Sequence, residues 1–227
     1  MGMRTVLITG VGKGIGKALA EKFLLEKYFV IGTVLSSAVS FLSKNTAIYK
    51  LDLSSGDSIA ECSRAISESG KRIDILINNA GVLLDEDETK IVVEKLRKTL
   101  EVNLIGATDF TERVISLINK NGHIINISSI AGSVEMANQP SLSHFPYHYP
   151  SYKISKAALN MYTRTLSVRL QEAGITVSSV HPGWVKTDIG GPDADLSPEE
   201  SADGIYQIAI ARPETGQFWF KEKRLPW

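Results

Sequence analysis

The sequence predicts an α/β fold: one doubly wound parallel sheet with helices on both faces, built by a single domain over residues 1–227. Three observations predict it. Short apolar runs alternate with helical patterns along the whole chain. Most of these runs are apolar at every position, as strands covered on both faces require. The first run leads directly into a glycine-rich turn that opens the first helix. Repeated βα units imply a parallel sheet, and right-handed crossovers wind it to both sides.

The elements follow in order. Arg4 leads into Val6-Leu7-Ile8, the first expected strand at 6–8. A helix over about 16–27 follows, with Ile15, Leu19, Phe23 and Leu24 on one side. Strands at 29–34 and 47–51 are joined by a connection too short for a full helix around 36–45. Further helical patterns run over about 57–69, 90–102, 104–120 and 152–173, and further strands over 73–77, 123–127, 176–180 and 217–220. There is no internal repeat and no low-complexity tract.

Composition narrows the function. The 25 basic and 25 acidic side chains cancel, and no long like-charge run appears. This speaks against a nucleic-acid or membrane surface and leaves a small molecule as the expected ligand. Cys62 is the sole cysteine, which excludes an intramolecular disulfide and a cysteine-based metal site and fits a reducing cytoplasm. Its neighbours Ile59, Ala60 and Ile66 make it a core thiol. The start of the chain lacks the regions of a signal peptide, and Val6 stands where a myristoylation pattern wants Ser or Thr. No stretch approaches the ~18 apolar residues of a membrane span. A soluble, cytoplasmic protein is expected.

The turn Thr9-Gly10-Val11-Gly12-Lys13-Gly14-Ile15-Gly16 joins a strand to a helix N-terminus. Unpaired amides and the helix dipole make such a place an anion site, and glycines let the backbone approach a pyrophosphate. A P-loop would need Lys followed by Ser or Thr, whereas Gly16-Lys17 precedes Ala18 and Val11 occupies the required first glycine. A methyltransferase loop usually carries an acid just before the first glycine, where this chain has Ile8 and Thr9. The remaining spacing satisfies dinucleotide mechanics.

Tyr152 and Lys156 stand four apart and so share a helix face. A phenol titrates near pH ~10, and a cation within ~4–6 Å typically lowers an acid's pKa by about 1–3 units. The pair is therefore expected to bring a phenol into a range useful for proton transfer. Tyr149 and Lys153 have the same spacing, but Pro150 disfavours helical torsions at Tyr149. His144 and His148 are also four apart, but Pro146 intervenes and no Glu follows the first His. No metal site is expected.

Other polar residues admit two readings. Asn78 and Asn79 can satisfy turn backbone groups or adjoin a cofactor. Asn103 is costly within a helix, which argues for a polar task. Ser128 and Ser129 can cap a helix or loop. Asp52 can cap a helix or adjoin a ligand.

In order, Thr9-Gly10…Gly14-Ile15-Gly16, Asp52-Leu53, Asn78-Asn79-Ala80-Gly81, Asn103, Ile127-Ser128-Ser129, Tyr152…Lys156 and Pro182-Gly183-Trp184-Val185-Lys186-Thr187 resemble the short-chain dehydrogenase/reductase family over nearly the whole chain. The resemblance implies a single Rossmann-type domain that binds a nicotinamide dinucleotide. It implies Tyr152 as general acid or base, Ser129 on the substrate oxygen and Lys156 on both the phenol and the nicotinamide ribose. Asn103 would anchor a water that joins Lys156 to solvent. Cofactor contacts are implied at Thr9, Gly10, Gly12, Lys13, Gly14, Ile15, Gly16, Ser36, Asp52, Leu53, Asn79, Ala80, Gly81, Pro182, Gly183, Val185 and Thr187, besides Tyr152 and Lys156.

The stretch from Pro182 to Pro192, with Ser197-Pro198-Glu199-Glu200 and Gly216-Gln217-Phe218-Trp219-Phe220, is similar to the NADPH-dependent carbonyl reductase branch. NADP(H) is expected over NAD(H). By the resemblance, Lys13 stands where the family often places a basic residue reaching the 2′-phosphate, and no acid that would bind both ribose hydroxyls follows the second strand. Ser36 and Ser37 can donate to such a phosphate. Twenty-three positions separate Ser129 from Tyr152, more than is usual for the family, and the intervening Ser133 to Ser151 is expected to cover the substrate pocket. The expected partner is a small carbonyl or alcohol; a homo-oligomer and a monomer both fit. A cofactor-binding regulatory module with little turnover is the alternative.

Overall fold

The computed structural model describes residues 2–36, 39–137 and 148–227. Seven parallel strands and one antiparallel strand form a single sheet, in the order β3-β2-β1-β4-β5-β6-β7-β8. The strands are β1 (Thr5–Ile8), β2 (Phe29–Val34), β3 (Thr46–Lys50), β4 (Ile73–Asn78), β5 (Ile118–Ile127), β6 (Thr176–Val180), β7 (Gln217–Phe220) and β8 (Lys223–Leu225). The helices are α1 (Gly14–Leu25), α2 (Gly56–Glu68), α3 (Val93–Leu100), α4 (Ala107–Val114), α5 (Pro150–Arg169) and α6 (Pro198–Ala211).

Alternation along each strand divides the core in two. Val6 and Ile8 of β1, Ile75 and Ile77 of β4 and Ile125 and Ile127 of β5 pack with Leu19 and Phe23 of α1 and Ile205 of α6. Leu7, Leu76, Ile124 and Val177 point the other way, onto Ile59, Cys62 and Ile66 of α2, Phe110 of α4 and Leu166 of α5. Successive strand residues face opposite sides, so burying both faces demands continuously apolar strands.

β1 lies between β2 and β4, so the chain reverses its direction of travel across the sheet there. Ligands bind beyond the carboxyl ends of strands at such a switch point. The turn after β1 and the turn after β4 meet there.

Several elements differ from expectation. The segment expected as one helix over 104–120 is a π-helical turn (Glu101–Gly106), then α4, then a 3₁₀ turn (Ile115–Leu117), and β5 already begins at Ile118. At Gly106 a Cβ would lie 1.9 Å from the Leu53 carbonyl oxygen, so the π turn sits directly on the loop after β3. α5 begins at Pro150, since proline suits the first helical position. α6 and β8 were not expected from the apolar pattern. The signal for α6 was a capping box, Ser197 with Glu200, and Pro198 at its start.

Candidate active site

A cleft of about 1320 Å³ opens at the switch point, along the carboxyl ends of the central strands. Pockets for one drug-sized ligand typically run ~300–1,000 Å³, so there is room for a dinucleotide with a substrate beside it. At one end Gly10, Gly12, Lys13, Gly14, Ile15 and Gly16 line the wall. The helix α1 starts there at Lys13 without a capping side chain and carries no acid in its first turn. Its free amides and positive dipole end are thus left to a ligand. Gly10 has φ +75° and Gly14 φ +54°, torsions that favour glycine, and a Cβ on Gly16 would lie 2.1 Å from the Gly10 carbonyl oxygen. These features fit a pyrophosphate.

The turns after β1 and β4 are tied together. Thr9, expected to touch the cofactor, does not line the cleft. It is buried, and its hydroxyl accepts the N–H groups of Asn79 and Ala80, each at 3.0 Å. Asn79 lines the cleft while its amide donates to the Thr9 carbonyl at 2.9 Å. Ala80 and Gly81 line it as well. A Cβ on Gly81 would meet Asn103 Oδ1 at 3.1 Å and Lys156 Nζ at 3.7 Å, so glycine allows that approach.

Asp52 and Leu53 border the cleft beyond β3. Ser54 donates to Asp52 from its backbone N–H at 2.9 Å and its hydroxyl at 2.6 Å, which holds the carboxyl below its ordinary range. Thr33 and Val34 at the end of β2 and Leu35 beyond it line the cleft, but Ser36 is exposed outside it. Ser37 lies outside the described residues. The Lys13 ammonium forms an exposed ion pair with Asp188, from the loop after β6. In that loop Pro182, Gly183, Val185 and Thr187 face the cleft, and the Trp184 indole N–H donates to Gly190 O at 2.7 Å.

The chemistry-bearing side chains converge at the other end. Ser129 follows β5, and its hydroxyl accepts the Ala131 N–H at 3.1 Å. Its side chain also acts on the phenol of Tyr152, near the start of α5, to lower the phenol's pKa against the stronger effect of burial. One turn on, the Lys156 ammonium donates to the Ile127 carbonyl at 2.8 Å and lies 5.5 Å from the centre of the Tyr152 ring. Tyr149 stays out of the helix, with φ +47°, and its ring meets that of Tyr152 edge-on.

A sequence model of the short chain dehydrogenase family matches residues 4–195. The chain belongs to that family. It is 30% identical over 216 residues to the 3-oxoacyl-[acyl-carrier-protein] reductase FabG of Vibrio cholerae, covering 92% of this chain and 83% of that one. Among solved structures, a short-chain dehydrogenase/reductase from Burkholderia multivorans with bound NADP aligns over 100% of both chains at 27% identity and TM-score 0.87. An NADPH-bound carbonyl reductase from chicken fatty liver aligns over 99% of this chain and 94% of its own, at 26% identity and TM-score 0.88.

One feature of this short-chain dehydrogenase corrects the sequence reading. Burial dominates the pKa values at the Tyr–Lys pair. It pushes the Tyr152 phenol up to about 12, against the opposing effect of Ser129, and pulls the Lys156 ammonium down to about 8. The expected lowering of the phenol is not what this arrangement gives. The Asn103 side chain is buried, not in the cleft wall: Oδ1 accepts the Val82 N–H at 2.8 Å, and Nδ2 donates to Val82 O at 2.8 Å and Ser155 Oγ at 3.1 Å. Both side-chain amide protons are spent there, so the side chain braces the β4 turn against α5.

The sequence reading passed over part of the dehydrogenase's cleft wall. Residues 82–84, 86 and 87 line it, and so does His181, whose ring packs on Phe220 and is held neutral by burial, with its pKa pulled down to about 4. The available signal was position alone, directly after Asn-Asn-Ala-Gly and directly before Pro-Gly. Of the segment expected over the pocket, Met136, Ala137, His148 and Tyr149 line the cleft. Leu142, His144, Phe145 and Tyr147 lie outside the described residues. Among the described residues no group of three or more His, Cys, Asp or Glu could hold a metal, and no helix is long and apolar enough to cross a membrane.

Proposed function

We propose that this oxidoreductase reduces a small aldehyde or ketone with NADPH, using Tyr152 as the general acid. The observation that carries the reading is the convergence of Ser129, Tyr152 and Lys156 at one end of a cleft whose other end is an uncapped, acid-free helix N-terminus. Residues 12–15 hold the pyrophosphate, Asp52 and Leu53 the adenine side, and Lys13 the 2′-phosphate. Ala80, Gly81 and Lys156 take the nicotinamide ribose, and Pro182, Gly183, Val185 and Thr187 the nicotinamide. The NADP and NADPH of the two structural relatives support this choice, as does the absence of an acid among Thr33, Val34, Leu35 and Ser36.

When bound, the reduced dinucleotide supplies a hydride to the carbonyl carbon. Ser129 donates a hydrogen bond to the carbonyl oxygen and fixes its direction. A phenol held up at about 12 stays protonated at neutral pH. Its O–H bond breaks only as negative charge builds on the substrate oxygen, a stronger base than phenolate. Lys156, charged below about pH 8, stabilises the phenolate left behind. Proton transfer of this kind contributes ~10²–10⁴ in rate, and fixed orientation adds to it. Asn103 acts one step away, holding the β4 turn against α5.

The test follows loss of NADPH absorbance with a panel of aldehydes, ketones, diones, quinones and a 3-oxoacyl thioester, the last because of the Vibrio cholerae relative. Turnover of at least one carbonyl class with NADPH preferred over NADH is expected. NADPH binding without turnover of any of them would instead support a regulatory module.

A further inference from the structure

α5 carries both Tyr152 and Lys156, yet its own sequence does not cap it. Tyr149 occupies the N-cap position, makes no capping bond, and adopts left-handed torsions of φ +47° and ψ +52°. Such torsions are costly for a bulky residue and persist only where the surroundings enforce them. Here one distant segment, residues 85–88, enforces them through three bonds. Glu88 O accepts the Tyr149 N–H at 3.0 Å, Glu86 O lies 3.1 Å from His148 Nδ1, and Asp85 Oδ2 accepts the Ser151 N–H at 2.5 Å.

Asp85 is 0% exposed, and its second oxygen has no partner. A buried carboxylate is costly without compensation. At the N-terminus of a 20-residue helix the unpaired amides and the dipole offset that cost. The capped amide belongs to the residue immediately before Tyr152. The Asp85 charge also acts on Lys153, one residue after it. Residues 82–84, 86 and 87 flank Asp85 and wall the cleft, so one segment both shapes the substrate side and fixes where α5 begins.

We infer that Asp85 is a positioning residue: its carboxylate caps α5 from outside the helix and sets the Tyr152 phenol against Ser129. The inference rests on the reading of Tyr152 as the general acid. A misplacement of ~1 Å can cost ~10²-fold in rate. Asp85→Ala is therefore expected to lower kcat about 10- to 100-fold while the Kd for NADPH changes far less, because most of the proposed cofactor contacts, from the glycine turn to the Pro182 loop, lie outside α5. Asp85→Asn keeps an acceptor of the same length and should restore kcat to within about threefold.

Amide hydrogen exchange over residues 151–156 supplies a readout independent of turnover. Protection there should fall in Asp85→Ala and persist in Asp85→Asn. Should Asp85→Ala fail to fold, Asp85→Ser, polar but too short to reach the amide, takes its place with the same expected loss. Unchanged kcat in the uncapped variant, or lost kcat with residues 151–156 still protected, overturns the inference. A wild-type protein that turns over no carbonyl sinks the functional reading instead, and exchange alone then decides the cap: lost protection upholds it, retained protection rejects it.

Discussion

Replacing Lys156 by Met should make the stability difference between wild type and variant depend on pH, because the folded protein buries an ammonium. Lys156 is 5% exposed and donates to a single carbonyl, Ile127 O. Burial pulls its pKa from 10.5 to about 8, and unfolding returns it to the solvated value. Between those two values the unfolded chain binds the proton that the folded chain has released. Stability contributed by this site therefore rises with pH across the window, and the penalty is complete below about pH 8. At ~1.4 kcal/mol per pH unit the fall amounts to about 3 kcal/mol. Met keeps the aliphatic stem and removes the charge, and the other groups titrate alike in both proteins. Urea unfolding without nucleotide, at about pH 7 and again near 10.5, should show the wild type gaining about 3 kcal/mol on the variant. A difference that stays flat with pH, or drifts the other way, refutes the buried cation. The variant should also lose turnover, so the site trades stability for function.

Other outcomes follow from the same geometry. Tyr152→Phe keeps the ring and loses the proton, so kcat should fall at least ~10²-fold with NADPH still bound; near-normal turnover would reject Tyr152 as the acid, and Tyr149→Phe should be far milder. Lys13→Ala should raise KM for NADPH and erode its advantage over NADH, whereas Asp188→Asn, which releases the Lys13 ammonium from its exposed partner, should do the opposite. Equal responses to both cofactors would remove Lys13 from 2′-phosphate recognition. Thr9→Val leaves the half-buried N–H groups of Asn79 and Ala80 without their acceptor, and chemical denaturation should show a loss of about 1–2 kcal/mol.

Much of the fold was legible in the chain because local chemistry and tertiary burial agree there. Continuously apolar runs marked the central strands to within a residue or two at most ends, as at β2 and β6. The glycine spacing marked the turn where α1 begins, since glycine adopts those torsions without strain and alone allows so close a backbone approach. Pro150 marked Tyr149 as lying outside α5, because proline disfavours helical torsions at the residue before it. The break-up of 104–120 was not legible: it depends on Gly106 meeting the Leu53 carbonyl, from a loop about fifty positions earlier.

The sequence by itself determined which residue types reach the cleft and in what order along the chain. The tertiary structure decided what each is free to do. Thr9 and Asn103 belong to the right motifs, but packing spends their polar atoms on Asn79, Ala80, Val82 and Ser155, leaving them as braces. Spacing places Lys156 one turn from Tyr152, but it cannot report how much water remains around either group. Desolvation, a property of every chain segment packed about them, is what raises the phenol and lowers the ammonium. The cap on α5 comes from Asp85, sixty-six positions before Ser151, and only folding brings a carboxylate to an amide across that distance.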